Sequence, residues 1–171
     1  FGDFKDFSKL TDRQLRVFVT DIMGTVARVL DRPRHKLLFR NSWGDGLYLV
    51  FDDALAAARC AMDLQAGLSA LSLSDLGLPE NLSLRLGGHF GPVYRGRDPV
   101  MDRPNYFGTH VSRTARIEPQ TPEGSVYVSE PFAAALALDP DREFTGDYVG
   151  AIPLAKKYGD LPVYLLRRYG G

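Results

Sequence analysis

Two short runs, HKLLFRNSW (35–43) and GLYLVFD (46–52), meet at Gly44-Asp45-Gly46, and that junction narrows the possible folds more than any other stretch. Asp-Gly between apolar runs signals a hairpin, because glycine readily takes the left-handed backbone that a tight antiparallel turn requires. Helical patterns flank it on both sides. TDRQLRVFVTDIMGTVARVL places Leu15, Phe18, Ile22, Val26 and Val29 on one helix face, and Thr11 with Gln14 forms a capping-box start. DDALAAARCAMDLQAGLSAL, opened by Asp52 or Asp53, reads as a second helix. FGDF reads as a strand end and NLSLRLGGHFGPVYRG as a strand interrupted at glycines, while RDPVMDRPNYFG reads as a loop. THVSRTARI predicts a short helix, SVYVS a strand, EPFAAALAL a helix, and EFTGDYV and PVYLLRR two closing strands. The order β α β β α β α β α β β predicts an α/β (α+β) sandwich, with helices packed on a mixed or antiparallel sheet.

A chain of 171 residues, 44% of them hydrophobic, suits one domain spanning 1–171. Its 21 basic and 21 acidic residues cancel, so no global field favours nucleic acid or an anionic membrane. Any anion must be held by a local site. Cys60 is the only cysteine, which excludes an internal disulfide and a cysteine-based zinc site and points to the cytoplasm. No apolar run approaches the roughly 20 residues that span a bilayer. The chain opens inside an apolar segment without an initiator Met, so a longer protein with an upstream regulatory domain is expected.

Asp3 and Asp45 occupy similar local addresses, each at a strand end in or beside a glycine-containing corner. Carboxylates so placed can converge at one sheet edge, where hard oxygen ligands suit Mg²⁺ or Mn²⁺. Taken singly, each is also ordinary turn chemistry. Five motifs in order, FGDFKDFSKL, NSWGDGLYLVF, LRLGGHFGPVYRG, NYFGTHVSRTARIEP and LAKKYGDLPVYLL, together resemble the class III nucleotide cyclase catalytic domain, the adenylate/guanylate cyclase family, over nearly the whole chain.

The resemblance implies a ferredoxin-like core, a head-to-tail homodimer with active sites at the interface, and conversion of a nucleoside triphosphate to a 3′,5′-cyclic monophosphate and pyrophosphate. By the same resemblance Asp3 and Asp45 match the aspartates that bind two Mg²⁺ or Mn²⁺ ions per site, with the Phe4 carbonyl as a further ligand. Arg116 matches the transition-state arginine and Lys156 the triphosphate lysine, with Lys157 beside it, both from the subunit opposite the aspartates.

Four positions depart from the family pattern. Asn41 and Asn105 stand where base-reading side chains are expected, and a carboxamide offers both donor and acceptor faces, so the base stays unassigned. ATP or GTP takes slight precedence over the pyrimidine triphosphates used by similar cyclase domains in bacterial antiviral signalling. Ser112 replaces the usual transition-state Asn on a shorter arm. Asp6 replaces a corner glycine, where it either repels phosphate or caps the following helix. Trp43, Tyr48, Tyr106 and Phe107 could narrow the base pocket. His89 reads as structural, and His35 and His110 as surface loop positions. The competing reading is a degenerate dimerisation or nucleotide-sensing module.

Overall fold

The computed structural model describes residues 1–153 and 159–170. Nine strands lie among them: β1 (Gly2–Phe4), β2 (Leu37–Trp43), β3 (Gly46–Phe51), β4 (Leu84–Gly88), β5 (Tyr94–Asp98), β6 (Arg103–Phe107), β7 (Val126–Ser129), β8 (Phe144–Pro153) and β9 (Asp160–Arg168). Seven of them form one sheet in the order β2-β3-β1-β4-β7-β9-β8, antiparallel throughout except for the parallel β4–β7 pair. This is the mixed sheet with interspersed helices that the sequence predicts.

The first helix forms as α1 (Asp12–Val17), continues through a π-helical stretch (Phe18–Ile22) and ends as α2 (Met23–Leu30). Both halves of the capping box are made: Thr11 accepts from the Gln14 N–H, and the Gln14 side chain accepts from the Thr11 N–H at 3.0 Å. α3 (Ala54–Ser69) starts at Asp53 rather than Asp52, with the Asp53 carboxylate accepting from Ala56 N–H at 2.7 Å. These helices and α5 (Glu130–Ala137) pack on one sheet face, burying Phe18, Ile22, Val26, Leu64, Leu84, Val128 and Phe132 in one cluster.

Strand alternation sends neighbouring residues to the other face. There α4 (Thr109–Ile117) lies against β4, and Ile117 joins Ile152, Leu161 and Val163 in a second cluster flanked by Tyr127. Gly87 permits this approach, since a Cβ on it would come within 2.5 Å of the Glu118 nitrogen. No helix of the described residues is long and apolar enough to cross a membrane.

The segment expected as a loop, 97–108, is instead half of an antiparallel ribbon in which Tyr94 pairs with Phe107 and Asp98 with Arg103. Pro104 and the surrounding charges mask the strand, because the two strands need only each other as partners. The Asp98 carboxylate closes the turn by accepting from the Val100 and Met101 N–H groups at 2.9 and 3.0 Å. The strand expected over EFTGDYV also runs on to Pro153, paired with β9 along its length.

Candidate active site

β1 lies between β3 and β4, with Gly2 paired to Leu47 on one side and Leu86 on the other. The β2–β3 hairpin therefore ends beside it. Gly44 takes a left-handed φ of 60°, which turns the chain so that Asp45 projects back toward β1. The Asp45 carboxylate accepts from the Phe4 N–H at 3.1 Å, and that bond brings Asp45 to the residue next to Asp3. Phe4 anchors the corner from below: its ring is buried and meets Phe18 edge-on at 5.0 Å.

Asp3 is directly opposite Arg85 across the β1–β4 ladder. Arg85 donates from Nε and Nη2 to the two Asp3 oxygens, the latter at 2.8 Å. Glu118, at the end of α4, places Oε1 2.7 Å from the same Nε, yet that nitrogen directs its one proton at Asp3 and leaves Oε1 buried without a donor. Burial would raise the Asp3 carboxyl, but the Arg85 hydrogen bonds and charge hold it below the usual range. Glu118 is pushed up to about 7 by burial and by the adjoining Asp3 carboxylate. One guanidinium thus lies between two carboxylates and hydrogen-bonds only Asp3, with Asp45 a third nearby. The excess negative charge and the orphaned oxygen fit a divalent cation. Among the described residues no group of three or more His, Cys, Asp or Glu forms a protein cage; Mg²⁺-type binding needs only one or two carboxylates, completed by phosphate oxygens and water.

Asn41 and Asn105 are both engaged under the ribbon. Arg103 donates from Nη2 to Asn41 Oδ1 at 2.6 Å. Because arginine has no acceptor, the amide oxygen must face it, leaving the Asn41 NH₂ group outward. Asn105 donates to Asp98 at 3.1 Å and accepts from the Tyr106 N–H at 2.8 Å. The Tyr48 hydroxyl donates to the Tyr106 carbonyl at 2.8 Å, and Phe39 packs against both rings. Of the four aromatics expected to narrow a pocket, Tyr48 and Tyr106 do meet, whereas Trp43 is 89% exposed at the hairpin end. Arg103 and Asp98 escaped the sequence reading, since only the ribbon brings them to the asparagines.

Ser112 and Arg116 are four residues apart on the exposed face of α4, opposite the buried Ile117. Neither is joined to Asp3 or Asp45 by a hydrogen bond or ion pair among the described residues. Glu118, two positions after Arg116, faces Arg85. Lys156 and Lys157 lie outside the described residues. Asp6 has a left-handed φ of 62°, which accounts for the glycine usual at this corner. It makes no side-chain cap; its carboxylate binds Lys9 at 2.7 Å and Asn81 at 2.8 Å.

Two histidines depart from expectation. His35 is fully buried beside the Asp63 carboxylate, because its turn folds back onto α3. His110 is on α4, where its Nδ1 meets His89 Nε2 at 2.7 Å, and His89 Nδ1 meets Ser129 Oγ at 2.7 Å. Burial, then His110 and Arg113, lowers the His89 pKa to about 4. Its folded value is thus below its unfolded one, so its contribution to stability is complete above about pH 6.5 and is lost as pH falls toward 4. Glu118, raised to about 7, contributes with the opposite sign over the same window, so the expected result is read as a difference: between pH 7 and 5 the wild-type protein should lose roughly 2 kcal/mol more than His89→Asn in urea unfolding. An unchanged pH profile in the variant would contradict this origin.

The family model described as the adenylate and guanylate cyclase catalytic domain matches residues 1–168. Among solved structures, the adenylyl cyclase CyaB from P. aeruginosa superposes with a TM-score of 0.83 at 15% identity, covering 97% of this chain and 90% of that one. The guanylyl cyclase Cya2 gives 0.81 at 21% identity, with 96% and 88% covered. The guanylate cyclase domain of RhGC from Catenaria anguillulae in complex with GTP gives 0.78 at 17% identity, with 98% and 93% covered. A search of curated protein sequences finds no match.

Proposed function

Since the chain belongs to the adenylate and guanylate cyclase catalytic-domain family, we propose that residues 1–171 form one metal-dependent catalytic domain that cyclises a nucleoside triphosphate to a 3′,5′-cyclic monophosphate, releasing pyrophosphate, at the interface of a homodimer. The observation that carries this reading is the gathering of Asp3 and Asp45 at one corner, fixed by the Phe4 N–H bond. Asp3, Asp45 and the Phe4 carbonyl would hold Mg²⁺ or Mn²⁺, which supplies activation of the ribose 3′-hydroxyl and neutralisation of phosphate charge. Arg116 would direct its guanidinium at charge developing on the α-phosphate, with Ser112 donating from the same helix face. Both would serve the corner of the partner subunit, in keeping with their exposure and with the lack, among the described residues, of a hydrogen bond or ion pair to either carboxylate in their own chain. Lys156 would bind the triphosphate.

For the base, the Asn41 oxygen is spent on Arg103, so the amide offers donors beside further guanidinium N–H groups. Donors read carbonyl acceptors, and the rings of Phe39, Tyr48 and Tyr106 restrict the space beside them. This favours GTP or UTP over ATP, a shift from the slight precedence of ATP or GTP over the pyrimidine triphosphates drawn from sequence. The test is incubation with Mn²⁺ and each of ATP, GTP, CTP and UTP, following pyrophosphate and cyclic product by mass spectrometry. Product from a keto base is expected; ATP as the sole substrate would overturn the base assignment. Metal-dependent nucleotide binding without pyrophosphate would support a nucleotide-sensing module.

A further inference from the structure

The metal corner contains a positive charge of its own, and its geometry is asymmetric. Arg85 places two hydrogen bonds on Asp3 while Glu118, with Oε1 2.7 Å from Nε, receives none. Arg85, Asp3 and Glu118 have side chains 28%, 29% and 13% exposed, so water only partly screens the cluster. Unpartnered carboxylate oxygens in such surroundings are costly. The Arg85 Nη1 already leans toward the Glu118 side, 3.5 Å from the Pro119 carbonyl. The close contact over Gly87 fixes the Glu118 main chain, so its side chain starts from a set position beside Arg85.

From this arrangement we infer that Arg85 is a positioning residue that occupies Asp3 in the metal-free protein and transfers to Glu118 when a divalent cation takes Asp3. The inference rests on the reading of Asp3 and Asp45 as a metal site. Two carboxylates and one guanidinium leave one acceptor unserved; adding a divalent cation at Asp3 lets each carboxylate have its own counter-charge. The cation also repels the guanidinium from Asp3, and the buried Oε1 is a landing point already within reach. Arg85 would thereby keep Asp3 ordered and ionised between turnovers, at the cost of weaker metal affinity.

The test needs no turnover. Mn²⁺ binding to the protein without nucleotide, measured by calorimetry at mildly alkaline pH, is expected to tighten about tenfold in Arg85→Met. Glu118→Gln should weaken binding in the wild-type background and have little further effect in Arg85→Met, because Glu118 acts through Arg85. Equal weakening in both backgrounds would mean direct attraction of the metal and would overturn the transfer. Should Arg85→Met fail to fold, the wild-type protein carries the test: with ¹⁵N-arginine labelling and Mg²⁺ titration, the Arg85 Nε–H resonance, assigned by its loss in Arg85→Lys, should move with the binding midpoint. A resonance that stays fixed while Mg²⁺ binds would overturn the inference. If binding is absent, or undiminished in Asp45→Ala, the metal-site reading itself fails, which is a separate outcome.

Discussion

Asp45→Ala is expected to lower cyclic nucleotide formation by about 10³-fold or more while leaving the protein folded. The carboxylate is one of two that gather at the corner, and no other acidic side chain within the hairpin can replace it. Its structural role is small by comparison. It accepts one hydrogen bond, from the Phe4 N–H, whose loss costs on the order of 1 kcal/mol. Asp45 is not among the residues with positive φ, so alanine enters the turn without backbone strain, and Gly44 keeps its own left-handed conformation. Mass-spectrometric product assay and thermal melting on the same preparation separate the two effects. Near-native turnover in the variant would remove Asp45 from the site.

Arg116→Ala should lower turnover by about 10²–10³-fold, the usual scale for loss of one group that stabilises transition-state charge. The more decisive result comes from mixing. Asp45→Ala supplies an intact α4 and Arg116→Ala an intact metal corner. A head-to-tail heterodimer of the two therefore contains one complete site and one doubly impaired site. With random exchange, half the dimers are mixed, so roughly one quarter of wild-type activity should return. Exchange can be followed by native mass spectrometry. Mixed dimers that stay inactive would place all the groups within one chain. The location of Ser112 and Arg116 on the exposed side of α4, with no hydrogen bond or ion pair among the described residues to either carboxylate of their own chain, is what makes complementation the expected result.

Local chemistry was legible where a residue and its partner are close in sequence. The capping box at Thr11 and Gln14, the Asp53 helix start and the Gly44-Asp45-Gly46 hairpin all appear as read, because each depends on backbone groups within a few residues. The π-helical stretch was not legible, since Phe18, Ile22 and Val26 are buried with or without it. Asp6 illustrates the boundary. Its position in a glycine corner was visible, but the direction of its carboxylate toward Lys9 and Asn81 depends on a segment 75 residues away.

Most of the order of elements came from hydrophobic period, and Asp3, Asp45, Ser112 and Arg116 became candidates through the resemblance of their motifs, taken in order, to the cyclase family; both are properties of the linear sequence. Which charges meet is not. Arg85 is opposite Asp3 because β1 and β4 pair in one register, Glu118 reaches them because Gly87 lets α4 approach, and Arg103 finds Asn41 because the ribbon covers β2. Each of these pairs joins residues 31 or more positions apart in sequence, with the sheet register and helix packing setting their distance. Electrostatic interaction depends on that spatial distance and on burial, so the charge balance of the corner, and with it the roles of Arg85 and Arg103, was decided by tertiary structure alone.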